Sequence, residues 1–183
     1  LEQAALECNR RIYQAGRSPA MAGMGTTLTV AVIEKDTLHL AHVGDSRAYL
    51  LSRSGLRQLS IDHTYLQEAQ NQGVLTQGQL NDHPDKGVLT RAVGPYPRVE
   101  VDADSYPLNI GDTVLICSDG LHSVVPDDVI KEVLGTGSPE TIARSLIDQA
   151  NANSGPDNIS VAIARMVASS NRRRKIRSTR ALD

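Results

Sequence analysis

Residues 26–59 read "TTLTVAVIEKDTLHLAHVGDSRAYLLSRSGLRQL", and this stretch decides the fold class. It contains four runs rich in apolar and β-branched residues, a composition typical of strands. The runs are residues 26–34, 37–44, 48–51 and 56–59, with two to four residues between neighbouring runs. Parallel strands need a crossover of roughly a dozen or more residues, whereas antiparallel strands need only a short turn. The stretch therefore predicts an antiparallel meander and argues against a Rossmann-type parallel sheet.

Helical patterns lie on both sides of this β-rich stretch. The apolar residues of residues 1–16 fall on one helical face: Leu1, Ala4, Ala5, Cys8 and Ile12. Two later helices are predicted, one from Pro126 to Leu134 and one that begins at Ser138. Further strands are predicted at residues 98–105, 113–118 and 158–166. A leading helix, several strands and two later helices indicate two layers of sheet covered by helices.

Residues 62–90 interrupt the rhythm of strands. They contain two short helical patterns, near 64–72 and 76–81, and the polar loop "NDHPDKG" at residues 81–87. This segment resembles a small insertion on the sheet. Within it, we interpret His83 as a loop residue rather than as a general acid.

The composition is that of a chain with one sizeable core. The 183 residues include neither Phe nor Trp, so the core must be built from Leu, Ile, Val and Ala. No run of about 18 apolar residues and no signal-peptide pattern is present. Cys8 and Cys117 both lie in apolar contexts, so we expect core thiols in a reducing compartment, which favours a cytoplasmic location.

The charges divide the chain into an acidic body and a basic end. Residues 172–180, "RRRKIRSTR", hold six of the 19 basic residues, which leaves 13 basic against 20 acidic residues in residues 1–168. We predict that residues 168–183 form a basic, disordered tail that does not pack on the domain. No aromatic residue accompanies these charges, which argues against nucleic-acid binding, while an approach of the tail to a membrane stays open.

Three acidic residues lie at the ends of predicted strands. Asp45 in "VGDSR" and Asp119 in "CSDGL" follow their strands, whereas Asp157 in "GPDNIS" precedes its strand. If the strands before Asp119 and after Asp157 are antiparallel, these two residues lie at the same edge of a sheet. Asp45 joins them if its own strand ends at that edge.

Converging carboxylates repel one another unless a proton or a cation lies between them. Carboxylate oxygens favour Mg²⁺ or Mn²⁺ over zinc, which prefers the nitrogen and sulfur of His and Cys. No His or Cys pair stands at metal-ligand spacing, and the chain lacks a P-loop motif. Spacing alone leaves a metal site and ordinary Asp-Gly turns as equal alternatives.

Six motifs taken together resemble the metal-dependent protein phosphatases, also called the protein phosphatase 2C or PPM family, and most closely its bacterial serine/threonine phosphatases. In order, the motifs are "GMGTTL" (23–28), "AHVGDSRAYLL" (41–51), "DHT" (62–64), "LTRAVG" (89–94), "GDTVLICSDGL" (111–121) and "GPDNISV" (155–161). The resemblance covers residues 1–167 and implies an α+β fold, an α/β/β/α sandwich with two central antiparallel sheets. It also implies a flap beside the active site at about residues 64–88.

The resemblance assigns roles to the three acidic residues. Asp119 and Asp157 match the family's metal-binding acids of the core pair, and Asp45 matches an acid that helps to hold a third ion in many bacterial members. The expected cofactors are two Mn²⁺ or Mg²⁺ ions, and a third where Asp45 takes part. The expected reaction is the hydrolysis of phosphoserine and phosphothreonine by a metal-activated water, with no phosphoenzyme.

The chain also departs from the family pattern. The Asp-Gly-x-Gly-Gly motif that supplies the bridging acid is absent, so the resemblance places that catalytic acid upstream of Leu1. Ser123 stands where several members have a further acid, which weakens the expectation of a third ion. We therefore expect residues 1–167 to be the C-terminal two thirds of a phosphatase domain, and the chain alone to be weakly active or inactive.

Three functions fit this interpretation. The first is a protein phosphatase, monomeric when complete, that acts on phosphoproteins modified by a serine/threonine kinase. The second is a catalytically deficient pseudophosphatase that serves as a regulatory binding module. The third is a phosphatase for phosphoesters other than proteins, with the flap setting the choice of substrate.

Overall fold

The structure is a computed structural model that describes residues 1–74, 85, 87–155 and 157–168. Its helices are α1 (Glu2–Ala15), α2 (Tyr65–Asn71), α3 (Asp119–His122), α4 (Asp127–Leu134) and α5 (Pro139–Ala152). Its strands are β1 (Leu28–Glu34), β2 (Thr37–Val43), β3 (Arg47–Ser52), β4 (Gly55–Gln58), β5 (Asp102–Pro107), β6 (Thr113–Cys117) and β7 (Val161–Arg165). The described elements agree with the predicted order, and the short helix α3 is an addition that the sequence pattern did not indicate. The helical pattern predicted near residues 76–81 lies outside the described residues.

The described strands form two sheets, and every pairing within them is antiparallel. One sheet has the order β1-β2-β5, and the other has the order β4-β3-β6-β7. Leu38 and Leu40 of β2 are buried in one cluster with Ala48 and Leu50 of β3 and Val114 of β6, which fills the space between the sheets. The predicted α+β class with two central antiparallel sheets is confirmed.

The prediction of a continuous meander is wrong at one point. Hairpins join β1 to β2 and β3 to β4, but β2 and β3 lie in different sheets. The reason is that both edges of β2 are already paired, one with β1 and the other with β5. Residues 44–46 therefore form a crossing from one sheet to the other rather than a hairpin turn.

Helices α4 and α5 cover the outer face of the four-stranded sheet. Ile130 and Leu134 of α4 and Ile142 and Leu146 of α5 are fully buried against the sheet residue Leu115. Burying a side chain of this size is worth roughly 1.5–3 kcal/mol, so this cluster is a large part of the hydrophobic stabilisation. At the start of α5, the Ser138 hydroxyl accepts a hydrogen bond from the Thr141 amide, as the predicted cap requires.

Helix α1 lies on the other side of the molecule, where Leu1 borders a cavity formed with His39 and Leu40 of the three-stranded sheet. The expected apolar face is only partly correct. Ala5 and Asn9 are the buried residues of α1, whereas Leu1 and Cys8 are exposed. Polar contacts account for the difference, because the Asn9 side chain accepts from the Gly94 amide and donates to a neighbouring carbonyl. Of the two predicted core thiols, only Cys117 is buried.

Two expectations fall largely outside the described residues. Most of the loop within the predicted flap, including His83, and residues 169–183 of the predicted tail are not described. The described part of the flap begins with α2, whose Thr64 cap accepts from the Gln67 amide at 3.2 Å and whose Leu66 is buried. In the described part of the chain, no helix is long and apolar enough to cross a membrane.

Candidate metal centre

Asp45 lies in the crossing between the two sheets, where the neighbouring backbone is held closely. Gly44 has a φ of 112°, and a Cβ at this position would lie 2.4 Å from the Thr27 side chain. Only glycine meets both conditions without strain. The Gly44 amide donates to His63 Nδ1 at 3.0 Å, and His122 Nε2 donates to the Asp45 carbonyl at 2.9 Å. The Asp45 carboxylate is therefore carried by a fixed backbone and is itself largely buried.

Asp119 approaches Asp45 because their strands are neighbours. Strand β3 pairs with β6 in an antiparallel register that sets Arg47 opposite Cys117. Asp45, two positions before Arg47, and Asp119, two positions after Cys117, therefore lie at the same end of the two strands. Burial, followed by the negative charge of Asp119, raises the pKa of Asp45 to about 6. The two carboxylates thus share one electrostatic environment.

Asp157 lies on the next segment at this end of the sheet. Strands β6 and β7 pair with Cys117 opposite Val161. Ser118 extends the contact, since its amide donates to the Ser160 carbonyl at 3.0 Å and its hydroxyl donates to the Asn158 carbonyl at 3.1 Å. The Asp157 carboxylate is exposed and accepts from the Asn158 amide at 2.6 Å.

Close packing of two backbones locks the Asp119 and Asp157 segments together. Gly120 follows Asp119, and a Cβ on Gly120 would lie 2.4 Å from the Asn158 carbonyl oxygen. A side chain at position 120 would therefore push the two segments apart. The expectation that Asp119 and Asp157 sit at one edge of the sheets agrees with this backbone arrangement, and their roles as metal ligands stay a prediction.

The chemistry of these donors suits a hard divalent cation, although their number is small. All three acidic side chains offer only oxygen, the donor that Mg²⁺ and Mn²⁺ prefer. Burial and then repulsion from Asp119 raise the pKa of Asp45, and a cation between the two carboxylates would relieve that repulsion. Within residues 1–74, 85, 87–155 and 157–168, no group of three or more His, Cys, Asp or Glu side chains is arranged to enclose an ion.

An ion pair stabilises the start of strand β3, which follows Asp45. The Arg47 guanidinium contacts both carboxylate oxygens of Asp62, with a closest distance of 2.7 Å, and also donates to the Tyr49 hydroxyl. Tyr49 in turn donates to Asp127 at the start of α4. This chain of bonds connects the candidate centre to the helical layer. The motifs "GDSR" and "DHT" contain both members of the ion pair, but only the fold shows that they meet.

His63 lies in the "DHT" motif, and the sequence alone assigns no role to it. The structure buries it beside His42, with ring centroids 4.8 Å apart. Its Nε2 donates to Asp102 at 3.0 Å, and Arg91 donates to the other oxygen of Asp102 at 2.8 Å. Burial would raise the pKa of Asp102, but the bonds from His63 and Arg91 outweigh it and hold that pKa below its usual value. The histidine links the site to the three-stranded sheet, a connection that only the fold reveals.

Comparison with known proteins identifies relatives for most of the chain. Residues 2–71 match the family model described as protein phosphatase 2C. A serine/threonine phosphatase from Listeria welshimeri is 40% identical over 157 residues, which is 85% of this chain and 62% of the relative. The chain therefore spans less than two thirds of the length of that relative.

Solved structures give the same picture. The crystal structure of the Mycobacterium tuberculosis serine/threonine phosphatase PstP/Ppp superposes with a TM-score of 0.83 at 35% identity, covering 87% of this chain and 68% of that chain. The catalytic domain of PstP in complex with 2 manganese ions superposes with a TM-score of 0.83 at 33% identity, covering 91% of this chain and 70% of that chain.

Proposed function

The chain belongs to the protein phosphatase 2C family of metal-dependent phosphatases, and on that premise we propose that it acts in the hydrolysis of phosphoserine and phosphothreonine in phosphoproteins. The observation that carries the proposal is the convergence of Asp45 and Asp119 at one end of the neighbouring strands β3 and β6. In our proposal, residues 1–167 are the C-terminal two thirds of the phosphatase domain. The basic segment 168–183 follows it as a tail.

We assign the metal ligands to Asp119, Asp157 and Asp45. Bound Mn²⁺ or Mg²⁺ would supply an activated water and would offset the charge of the phosphoryl oxygens. The solved PstP domain, which contains 2 manganese ions, supports Mn²⁺ as the first ion to test. The acid that bridges two ions is expected upstream of Leu1, as the family resemblance implies.

In this proposal, the residues of this chain hold and orient the metal ions and do not transfer protons. Asp45 and Asp119 present negative charge at one point, where Gly44 and Gly120 allow neighbouring segments to pack closely. Arg47 is bound by Asp62 and Tyr49, so its charge stabilises the loop instead of being offered to a substrate phosphate. Phosphate binding is therefore expected to depend on the ions and on groups outside this segment.

Substrate choice is assigned to the flap, residues 64–88. Tyr65 on α2 is exposed, as are Ile61 before it and Leu89 after it, so the flap and its flanks carry exposed apolar side chains. A phosphoprotein modified by a serine/threonine kinase is the expected substrate. The two free cysteines support a reducing, cytoplasmic compartment, and the complete protein is expected to be a monomer.

The alternative, a regulatory module without activity, is separated from the phosphatase by one assay. The chain is extended with the coding sequence upstream of Leu1, and release of phosphate from a phosphothreonine peptide is measured with Mn²⁺, with Mg²⁺ and after chelation. Turnover that needs the metal supports the proposal. A folded, extended protein that binds the phosphopeptide without turning it over in either metal would establish the binding module instead.

A further inference from the structure

Two histidines hold the backbone on either side of the Asp45 side chain, and neither belongs to the set of acidic ligands. We propose that His63 and His122 are positioning residues that clamp the crossing loop, residues 44–46, and thereby keep the Asp45 carboxylate facing Asp119 for metal binding. The proposal rests on the function proposed above. It assigns a role to hydrogen bonds that the reaction itself does not use.

The His63 half of the clamp is defined by its tautomer. His63 Nδ1 receives the Gly44 amide proton at 3.0 Å, so this nitrogen must be unprotonated. The proton then resides on Nε2, which donates it to Asp102 at 3.0 Å. Asp102 is itself held by Arg91, and His63 is 1% exposed. The acceptor presented to Gly44 is therefore rigid, oriented by two further residues.

The His122 half of the clamp comes from helix α3. A backbone carbonyl can only accept, so His122 Nε2 donates its proton to the Asp45 carbonyl at 2.9 Å. His122 ends the same short helix that begins with Asp119. Helix α3 thus carries the candidate ligand Asp119 and also His122, the hydrogen-bond donor to the loop that contains Asp45. Movement of Asp119 and of Asp45 is coupled through this bond.

The loop needs such a clamp because its acidic side chain is repelled. Asp45 and Asp119 lie at the same end of the paired strands β3 and β6, where two carboxylates repel each other, and Gly44 has no side chain to restrict the backbone. A loop free to move would relieve the repulsion by turning Asp45 away. Two directed hydrogen bonds, at the Gly44 amide and the Asp45 carbonyl, oppose that movement and leave the carboxylate in place for a cation.

Substitutions of each histidine by asparagine and by glutamine show whether the histidine acts through its hydrogen bond or only fills space. The asparagine amide lies at the distance from the backbone where histidine has Nδ1, and the glutamine amide lies where histidine has Nε2. The clamp uses Nδ1 at position 63 and Nε2 at position 122. His63→Asn and His122→Gln can therefore keep the bond to the loop, whereas His63→Gln and His122→Asn lose it. Each substitution is the matched control for the same substitution at the other position.

The experiment uses NMR on the ¹⁵N-labelled chain. Without metal, exchange of the Gly44 amide reports the His63 bond, and the ¹⁵N shift of the Ser46 amide, which shares a peptide with the Asp45 carbonyl, reports the His122 bond. Mn²⁺ is then titrated, and the broadening of the Gly120 amide signal gives the affinity even when binding is weak. Melting temperatures and the unperturbed strand signals show that each variant is folded.

We expect the variants that lose the bond to bind Mn²⁺ about tenfold or more weakly than wild type, which is the usual effect of removing a residue that orients a metal ligand. The variants that keep the bond should bind Mn²⁺ with an affinity close to that of wild type. Equal loss for Asn and Gln at one position would mean that the ring fills space there, and would overturn the clamp. Loss of the amide signatures with unchanged Mn²⁺ affinity would overturn it as well.

Failure of the proposed function gives a different result. Asp119→Asn should abolish Mn²⁺ broadening while leaving the Gly44 exchange and the Ser46 shift unchanged. If the wild-type chain and Asp119→Asn broaden equally, the assignment of the metal site is wrong. The amide signatures of the four histidine variants are read without metal, so they report the clamp in either case.

Discussion

At the scale of single residues, the candidate centre contains a carboxylate in an energetically unfavourable position. Asp45 is largely buried, and burial together with Asp119 raises its pKa to about 6 from an ordinary value of 3.8. Perturbed carboxylates of this kind are concentrated at functional sites, where their charge is used. The raised pKa and the position of Asp119 at the end of the paired strand are the reasons for proposing a metal site at this point.

This raised pKa predicts how the metal-free chain responds to pH. The folded state holds a proton on Asp45 at pH values where the unfolded state has released it. The free energy of unfolding should therefore fall as the pH rises from about 4 to about 6, by on the order of 3 kcal/mol for this residue. Urea unfolding of wild type and Asp45→Asn in the presence of a chelator measures the difference. Parallel pH profiles for the two proteins would show that Asp45 titrates normally.

The two cysteines predict a second residue-level result. Cys8 is exposed on α1, whereas Cys117 is buried in β6, and burial raises the pKa of its thiol to about 12. A thiol reagent at neutral pH should modify Cys8 rapidly and Cys117 only when the chain unfolds, because the thiolate is the reactive form. Counting modified thiols over time in native buffer and in denaturant provides the measurement. Two equally fast thiols in native buffer would contradict the burial of Cys117.

The contrast between these residues shows what the sequence could and could not predict about the site. The three acidic residues were identified because strand ends and turn glycines are visible in a linear pattern. His63 and His122 were not, since their partners are a backbone amide and a carbonyl that the fold brings from 19 and 77 positions away. Cys8 was misplaced because a helix face was ranked by apolarity, while a buried asparagine decides its orientation.

At the scale of elements, the connection between β2 and β3 organises the molecule. Its short length suggested a hairpin, and length alone cannot distinguish a hairpin from a crossing between two packed sheets. The distinction arises because β5, which pairs with the free edge of β2, comes from a part of the chain more than fifty residues later. Pairing between distant segments is the information that local periodicity lacks.

Gly44 makes the crossing possible, and a matched glycine tests this. Gly44 and Gly55 have φ values of 112° and 113°, but a Cβ meets the Thr27 side chain at 2.4 Å only at Gly44, and meets nothing within 4 Å at Gly55. Both alanine variants carry the cost of a left-handed backbone, on the order of 1–2 kcal/mol. Gly44→Ala should lose about 1–3 kcal/mol more, the usual cost of overpacking.

Chemical denaturation of the two alanine variants measures this difference directly. Adding Thr27→Ala to Gly44→Ala removes the nearest contact and should restore part of the lost stability. Equal destabilisation by Gly44→Ala and Gly55→Ala would mean that the approach of Thr27 does not constrain the crossing.

At the scale of the whole molecule, both sheets end in a strand with one edge unpaired among the described residues. The end strands are β1 and β5 in the three-stranded sheet and β4 and β7 in the four-stranded sheet, and β1 and β7 border the same cavity. This open cavity of about 340 Å³ is lined by Thr27, Leu28 and Thr29 on one side and by Val161 and Ala162 on the other. Exposed Val32 and Ile33 extend the apolar surface along β1.

Open edges of this kind favour association between chains. The chain alone should therefore form oligomers at micromolar concentration, whereas a version extended upstream of Leu1 should be a monomer, if the added segment covers the edges. Light scattering after size-exclusion chromatography measures both masses. A monodisperse, monomeric short chain across the concentration range would show that the edges are protected in another way.

The central claim is that Asp119 belongs to the metal centre of a phosphatase, and one measurement tests it most directly. Mn²⁺-dependent hydrolysis of a phosphothreonine peptide is compared for the upstream-extended protein, its Asp119→Asn variant and an Asp128→Asn control, which changes an exposed acid in the first turn of α4. Loss of a catalytic metal predicts a fall of on the order of a thousandfold for Asp119→Asn and an unchanged rate for the control. Wild-type turnover by folded Asp119→Asn would contradict the account.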